Sequence, residues 1–132
     1  MPVTLPNTNR AKTRILVADD ECLLADLMAV ILNHHGYEAV AVYGGRQAVE
    51  TASYWNPDFF LSDLSMPGTD GVQAAIEICE VLPECIVLLL SAELEMSERI
   101  HEGRLRGLPL HMLRKPISPA DVIERIRDFA AA

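Results

Sequence analysis

Short apolar runs alternate along the chain with longer segments in which apolar residues recur at helical spacing. Short apolar runs bounded by turn-forming residues are typical of buried parallel strands. The pattern therefore predicts five strands, most of which stop at a polar or charged residue. These strands are expected at 14–18, 37–43, 59–62, 85–90 and 110–113.

A helix is predicted after each strand, at 21–35, 47–54, 71–82, 94–106 and from Ser118 onward. In the first helix, Leu23, Leu27, Val30 and Ile31 follow the spacing of an amphipathic helix and form its apolar stripe. The helix at 94–106 has the weakest pattern because a glycine interrupts a charged and modestly apolar segment.

The last helix carries clear signals at its start. Ser118 can cap it, Pro119 suits the first helical position, and Asp121 falls in the first turn, where negative charge is favourable. The side chains expected to face inward are Val122, Ile123, Ile126 and Phe129.

Five repeats of strand and helix predict an α/β fold in which helices cover both faces of a doubly wound parallel sheet. The flavodoxin-like strand order 2-1-3-4-5 suits five strands and places the first and third strands side by side. Residues 1–12 contain two prolines among small polar residues and are expected to form a flexible lead-in to a single domain at 13–132.

Charged residues stand where the apolar runs stop. Asp19 and Asp20 follow the first run, Asp63 follows the third, and Lys115 follows the fifth. Ligands of open parallel sheets bind outside the carboxyl ends of the strands, so these side chains are expected to converge. Three neighbouring carboxylates repel one another unless a cation is supplied, and Mg²⁺ suits hard oxygen ligands.

Asp63 is the carboxylate best placed to act as a nucleophile, since it ends a central strand and precedes a loop rich in turn-forming residues. Attack of a carboxylate on phosphorus gives an acyl phosphate. Lys115 would supply positive charge to the phosphoryl oxygens, and Ser91 could donate a hydrogen bond to them.

Four motifs, in this order, resemble the receiver domain of two-component response regulators, the CheY-like family. The resemblance covers about residues 13 to 130. The motifs are Ile-Leu-Val-Ala-Asp-Asp-Glu21, Asp-Leu-Ser-Met-Pro-Gly-Thr-Asp-Gly71, Leu-Leu-Ser-Ala-Glu93 and Arg-Lys-Pro-Ile117.

This resemblance implies a phosphorelay function. Asp63 would accept a phosphoryl group from a phosphohistidine on a histidine kinase or a phosphotransfer protein. Asp20, Asp63 and the backbone carbonyl of Ser65 would hold Mg²⁺, with Asp19 acting through water.

The resemblance also implies a switch. Ser91 and Lys115 would bind the phosphoryl group and reshape the face built from the helix at 94–106, the fifth strand and the last helix, where a downstream protein would bind. Glu93 would tune access of water to the acyl phosphate. Met112 departs from the family pattern, which has Tyr or Phe at this position, so the signal cannot be reported by rotation of a ring.

Length and composition fit one domain. The chain has 132 residues, of which 50% are hydrophobic and 23% are charged, and its formal net charge is -8. An acidic domain is not expected to bind nucleic acid directly, since such binding is dominated by basic side chains.

The sequence predicts neither a membrane span nor a signal peptide, because its longest apolar run, at 85–90, is far below the length that a span requires. The cysteines Cys22, Cys79 and Cys85 contain no CxxC pair. They are expected to be reduced core thiols of a cytoplasmic protein.

The sequence leaves two alternatives to the phosphorylated switch. One is a magnesium-dependent phosphohydrolase with an aspartyl nucleophile, although the chain lacks an Asp two residues after Asp63 and has no spare length for a cap. The other is an interaction module that is never phosphorylated. A switch would catalyse its own phosphorylation and dephosphorylation and is not expected to be an enzyme in the usual sense. The kinase, the output target, a homodimer and any further domain are left open by the sequence.

Overall fold

The computed structural model describes residues 12–66, 68–91, 101, 107–108 and 110–131. Strands and helices alternate through this part of the chain. Its strands are β1 (Arg14–Ala18), β2 (Glu38–Val42), β3 (Phe59–Asp63), β4 (Ile86–Ser91) and β5 (Leu110–Arg114). Its helices are α1 (Cys22–His34), α2 (Gly45–Trp55), α3 (Gly71–Val81) and α4 (Pro119–Ala131). The helix predicted at 94–106 lies almost entirely outside the described residues.

The five strands form one parallel sheet in the order β2-β1-β3-β4-β5. This confirms the predicted α/β class and strand order. The register pairs Asp63 with Leu90 and Ser91 with Arg114. The carboxyl ends of β3, β4 and β5 are therefore level with one another, which is what brings their terminal residues to one edge.

Helices cover both faces of the sheet. Buried residues of α2 and α3 pack on one face and those of α1 and α4 pack on the other. Fully buried large side chains include Phe60, Leu61, Leu88 and Leu89 from the central strands. Because β3 and β4 are apolar on both faces, their ends are held rigidly by the core.

The apolar stripe predicted for α1 is wrong for Leu23, Leu27 and Val30, which are exposed, whereas Ile31 is half-buried against the core. The residues that α1 buries are Ala25, Ala29 and Leu32. Leu23 is 79% exposed and Val30 is 63% exposed. The small alanines allow the helix to lie close to the sheet, and the larger residues are consequently left on its outer side.

The predicted start of α4 is confirmed in detail. The Asp121 backbone N–H donates to Ser118 Oγ at 3.1 Å, and the Ser118 N–H donates to Asp121 Oδ2 at 3.3 Å. This reciprocal pair is a capping box. By contrast, α2 begins two residues before its predicted start at Gln47, and Asn56 ends it in the left-handed conformation at φ 55°.

Candidate functional site

Lys115 and Asp63 form an ion pair at the carboxyl edge of the sheet. Lys115 Nζ lies 3.3 Å from Asp63 Oδ2, and their side chains are 30% and 14% exposed. The Lys115 backbone N–H donates to the Ser91 carbonyl at 2.7 Å. The peptide bond between Lys115 and Pro116 is cis. The predicted convergence of these two strand ends is thus present.

Asp19 and Asp20 complete an acidic cluster with Asp63. Each carboxylate offers an oxygen, and the three oxygens lie within 4.8 Å of one another. Asp19 is buried, Asp63 is half-buried and Asp20 is exposed. Both acids follow β1 directly, and β1 pairs with β3, so the sheet itself holds the three side chains together.

Burial dominates the electrostatics of Asp19. It raises the pKa of this carboxyl, and the neighbouring charges of Asp63 and Asp20 raise that pKa further. A hydrogen bond from the Glu21 N–H, at 2.9 Å, and the charge of Lys115 act in the opposite direction without cancelling the effect. The site therefore holds more negative charge than its own groups neutralise.

This donor set fits a magnesium ion. All three side chains offer hard oxygen ligands, and Mg²⁺ is commonly bound through one or two carboxylates together with phosphate oxygens and water. Asp20 is exposed, which leaves the cluster open to solvent on one side. Asp19, Asp20 and Asp63 are thus the described residues that could hold the ion.

Ser91 and Met112 lie on the strands that flank the site. Ser91 ends β4 and is buried. Met112 lies on β5 and is half-buried against the core on the side of α2 and α3. Glu93, proposed from the sequence to tune water access, falls outside the described residues.

The loop after Asp63 is fastened at both ends. The Leu64 N–H donates to the Leu90 carbonyl at 2.8 Å, and the Gly71 N–H donates to the Leu64 carbonyl at 3.1 Å. Asp70 caps α3 by accepting from the Gln73 N–H at 2.8 Å. Ser65 lies on the exposed outer part of this loop, and its role as a magnesium ligand stays a prediction.

Sequence reasoning missed one contact of this loop. Gly44 and Gly45 carry no predicted role, and the structure places Gly45 against Thr69. Two adjacent glycines at the boundary of a helix are a usable signal, because a glycine there permits close approach of another backbone.

The cysteines differ from their prediction in one respect. All three are free, as expected, and Cys79 and Cys85 are buried, but Cys22 is exposed at the start of α1. Burial raises the pKa of Cys79 to about 11 and raises the pKa of Cys85 as well. The two buried thiols are consequently unreactive packing groups.

A groove of about 830 Å³ lies at the opposite end of the sheet, around the amino ends of β1, β3 and β4. Arg14 there is ion-paired with Glu38 at 3.2 Å and donates to the Trp55 carbonyl at 2.6 Å. The groove contains none of the residues in the acidic cluster.

Comparison with known proteins agrees with this geometry. The sequence model of the response regulator receiver domain matches residues 15–127. The transcriptional regulatory protein PdtaR of Mycobacterium tuberculosis is 35% identical over 86% of this chain and 54% of its own length. ResD of Bacillus subtilis, also a transcriptional regulatory protein, is 33% identical over 88% of this chain and 47% of its own length. The chain thus spans about half the length of these relatives.

Solved structures show the same fold. The receiver domain of the Francisella response regulator 1452 superposes with a TM-score of 0.73 at 27% identity, covering 89% of this chain and 95% of that one. The chemotaxis protein CheY4 of Vibrio cholerae reaches 0.78 at 24% identity, with coverage of 89% and 98%, and supports the fold alone. No helix in the described part of the chain has the length and apolarity to cross a membrane.

Proposed function

Because the chain belongs to the response regulator receiver domain family and is a receiver domain of two-component signalling, we propose that Asp63 is its phosphoryl acceptor. The observation that carries this proposal is the 3.3 Å ion pair of Lys115 with Asp63 beside the carboxylates of Asp19 and Asp20. The phosphohydrolase alternative is not favoured by the relatives, which are regulatory proteins.

The donor is a phosphohistidine on a histidine kinase or a phosphotransfer protein. An oxygen of Asp63 attacks phosphorus, and the bond from phosphorus to the histidine nitrogen breaks. The electron pair of that bond returns to the imidazole, which takes up a proton, and Asp63 becomes an acyl phosphate. Water later hydrolyses this acyl phosphate, so the domain catalyses only its own phosphorylation and dephosphorylation.

The remaining site residues have distinct roles. Asp20, Asp63 and the Ser65 carbonyl would hold magnesium, with Asp19 acting through water, and a bound ion would supply positive charge to the phosphoryl oxygens. Lys115 releases Asp63 and pairs with the phosphoryl group as the acyl phosphate forms. Ser91 donates its hydroxyl to the same group.

Output passes through the face formed by 94–106, β5 and α4, which binds a downstream protein. Met112 occupies the position where the family has an aromatic ring, so the face changes through packing rather than through ring rotation. Glu93 tunes the access of water to the acyl phosphate. The same face would also be the contact surface of a homodimer. We place this domain at 13–132, in the cytoplasm; the lead-in predicted at 1–12 lies almost entirely outside the described residues.

The outer side of α1 is the surface on which the donor protein docks. Leu23 is 79% exposed and Leu27 is 52% exposed, although apolar side chains of this size are usually buried. Helix α1 starts two residues after Asp20, so this surface is continuous with the mouth of the acidic cluster. A protein that brings a phosphohistidine to Asp63 must cover the mouth and with it the start of α1.

Docking is tested with the double variant Leu23→Asn, Leu27→Asn. Phosphotransfer is measured from a phosphorylated histidine protein that labels the wild-type chain, and labelling by a small acyl phosphate is measured in parallel. The variant is expected to lose transfer from the protein donor and to keep labelling by the small one. The control Val81→Asn changes a side chain on α3 that is 63% exposed and should affect neither. Equal transfer in all three proteins would refute docking on α1.

The acceptor is tested by incubating the chain with a small acyl phosphate and Mg²⁺, followed by intact mass spectrometry. Wild-type protein should gain one phosphoryl group, and Asp63→Asn should gain none. Steady release of phosphate from added phosphate esters would favour the hydrolase instead. Absence of any adduct, also with phosphorylated histidine proteins, would favour an interaction module that is never phosphorylated.

A further inference from the structure

The first residue of α2 touches the loop that follows Asp63, and this contact points to a further residue of the site. We propose that Gly45 is a positioning residue: it seats the loop at Thr69 and so holds the backbone around Asp63 and Ser65 for magnesium and phosphoryl binding. The inference rests on the proposed function of Asp63.

The contact at Gly45 leaves no room for a side chain. A Cβ at this position would overlap the Thr69 carbonyl oxygen and would lie 2.8 Å from both the carbonyl carbon and Cγ2 of Thr69. Real Cβ atoms do not approach other atoms this closely, and the nearest atoms belong to backbone, which cannot swing aside as a flexible side chain can.

Space, rather than backbone conformation, accounts for the glycine. Gly45 does not adopt the positive φ that favours glycine, and it lies in a regular helix. Its neighbour Gly44 has an extended backbone, and a Cβ there would meet nothing within 4 Å. A side chain would be blocked at Gly45 and accommodated at Gly44, which makes Gly44 a matched control.

The contact is linked to the site through the loop. Thr69 precedes Asp70, which caps α3, and Gly71, whose N–H donates to the Leu64 carbonyl. Gly71 is itself packed tightly, since a Cβ there would lie 2.6 Å from the Asp63 carbonyl oxygen. The loop is therefore pinned beside Asp63 at its ends and against α2 at Thr69. Because the backbone at Gly71 has no room to move, a displacement of Thr69 would move the backbone on the Ser65 side of the loop.

The test compares Gly45→Ala and Gly44→Ala, each in the whole 132-residue chain, with the wild type. Magnesium affinity is measured by titration, and backbone amide shifts of the metal-free proteins are recorded by NMR. Gly45→Ala is expected to shift the amides of Asp63, Leu64 and Ser65 and to weaken magnesium binding by about tenfold, as is common for supporting groups of metal sites. Gly44→Ala should match the wild type in both measurements.

A second variant changes the loop residue of this contact, Thr69, without adding atoms. Thr69→Ser removes the methyl group that faces Gly45, and we expect shifted loop amides with a smaller loss of magnesium affinity than in Gly45→Ala. If Gly45→Ala does not fold, Thr69→Ser decides the question.

Unchanged loop amides and unchanged magnesium affinity in the folded variants, even with lower thermal stability, would overturn the inference and leave Gly45 as a packing residue only. Failure of the wild type to take up a phosphoryl group would refute the proposed acceptor instead, because the affinity and the amide shifts are measured without phosphorylation.

Discussion

The buried carboxylate of Asp19 serves the site but lowers the stability of the fold. It is 7% exposed, and burial is the largest cause of its raised pKa. Its hydrogen bond from the Glu21 N–H shows that the carboxylate is held in place rather than expelled into solvent. A receiver that binds a cation needs this charge, and the folded protein without the cation is destabilised by it.

Replacing Asp19 by Asn should therefore stabilise the metal-free protein. Since the folded pKa lies above the ordinary value of 3.8, the folded state retains a proton that the unfolded state has lost, and wild-type stability falls as pH rises from 3.8 through the folded pKa. At pH 7, with a chelator present, the thermal midpoint of Asp19→Asn should exceed that of the wild type by a few degrees, about what 1 kcal/mol gives in a domain of this size.

The same comparison below pH 3.8 should show a much smaller difference, because Asp19 is then protonated in both states. Glu80→Gln is the control, since Glu80 is an exposed acid on α3 outside the cluster. A midpoint of Asp19→Asn at or below the wild-type value at pH 7 would contradict this account of the site.

At the scale of elements, each helix is fixed by local signals at its ends and by its packing along its length. The capping box joins Ser118 and Asp121 and satisfies two backbone donors at the start of α4. Helix α4 packs on the same face of the sheet as α1 and follows β5 and Lys115 closely. The cap thus helps to fix the end of β5 and Lys115, which directly follows it.

Loss of this cap should lower the stability of the whole domain. Ser118→Ala is expected to reduce the free energy of unfolding by about 1 kcal/mol, measured by urea denaturation. Ser53→Ala removes a hydroxyl from the last turn of α2, where it donates to the Glu50 carbonyl at 2.6 Å, and should be close to neutral. Equal effects of the two substitutions would show that the capping box does not contribute.

At the scale of the whole molecule, the residues that lie at the carboxyl ends of the strands could be predicted from the sequence. Apolar runs mark where β1, β3 and β5 stop, and a parallel sheet brings those ends to one edge. The approach of Asp19, Asp63 and Lys115 could be inferred for this reason, although they are distant along the chain.

Features that depend on how elements approach one another were not predictable in the same way. Hydrophobicity alone favours leucine over alanine as the buried residue, so most of the stripe predicted for α1 was wrong, and with it the burial of Cys22. The contact of Gly45 with Thr69 joins two elements that are separate in sequence and carries no local pattern beyond the glycine itself.

The central claim is that Asp63, among the three clustered carboxylates, takes the phosphoryl group. Borohydride reduces an acyl phosphate of aspartate to homoserine, so the acceptor can be located by peptide mass spectrometry after labelling with a small acyl phosphate and Mg²⁺. The account predicts homoserine at position 63 and none at positions 19 and 20. Homoserine at either of those positions, with position 63 unmodified, would contradict it.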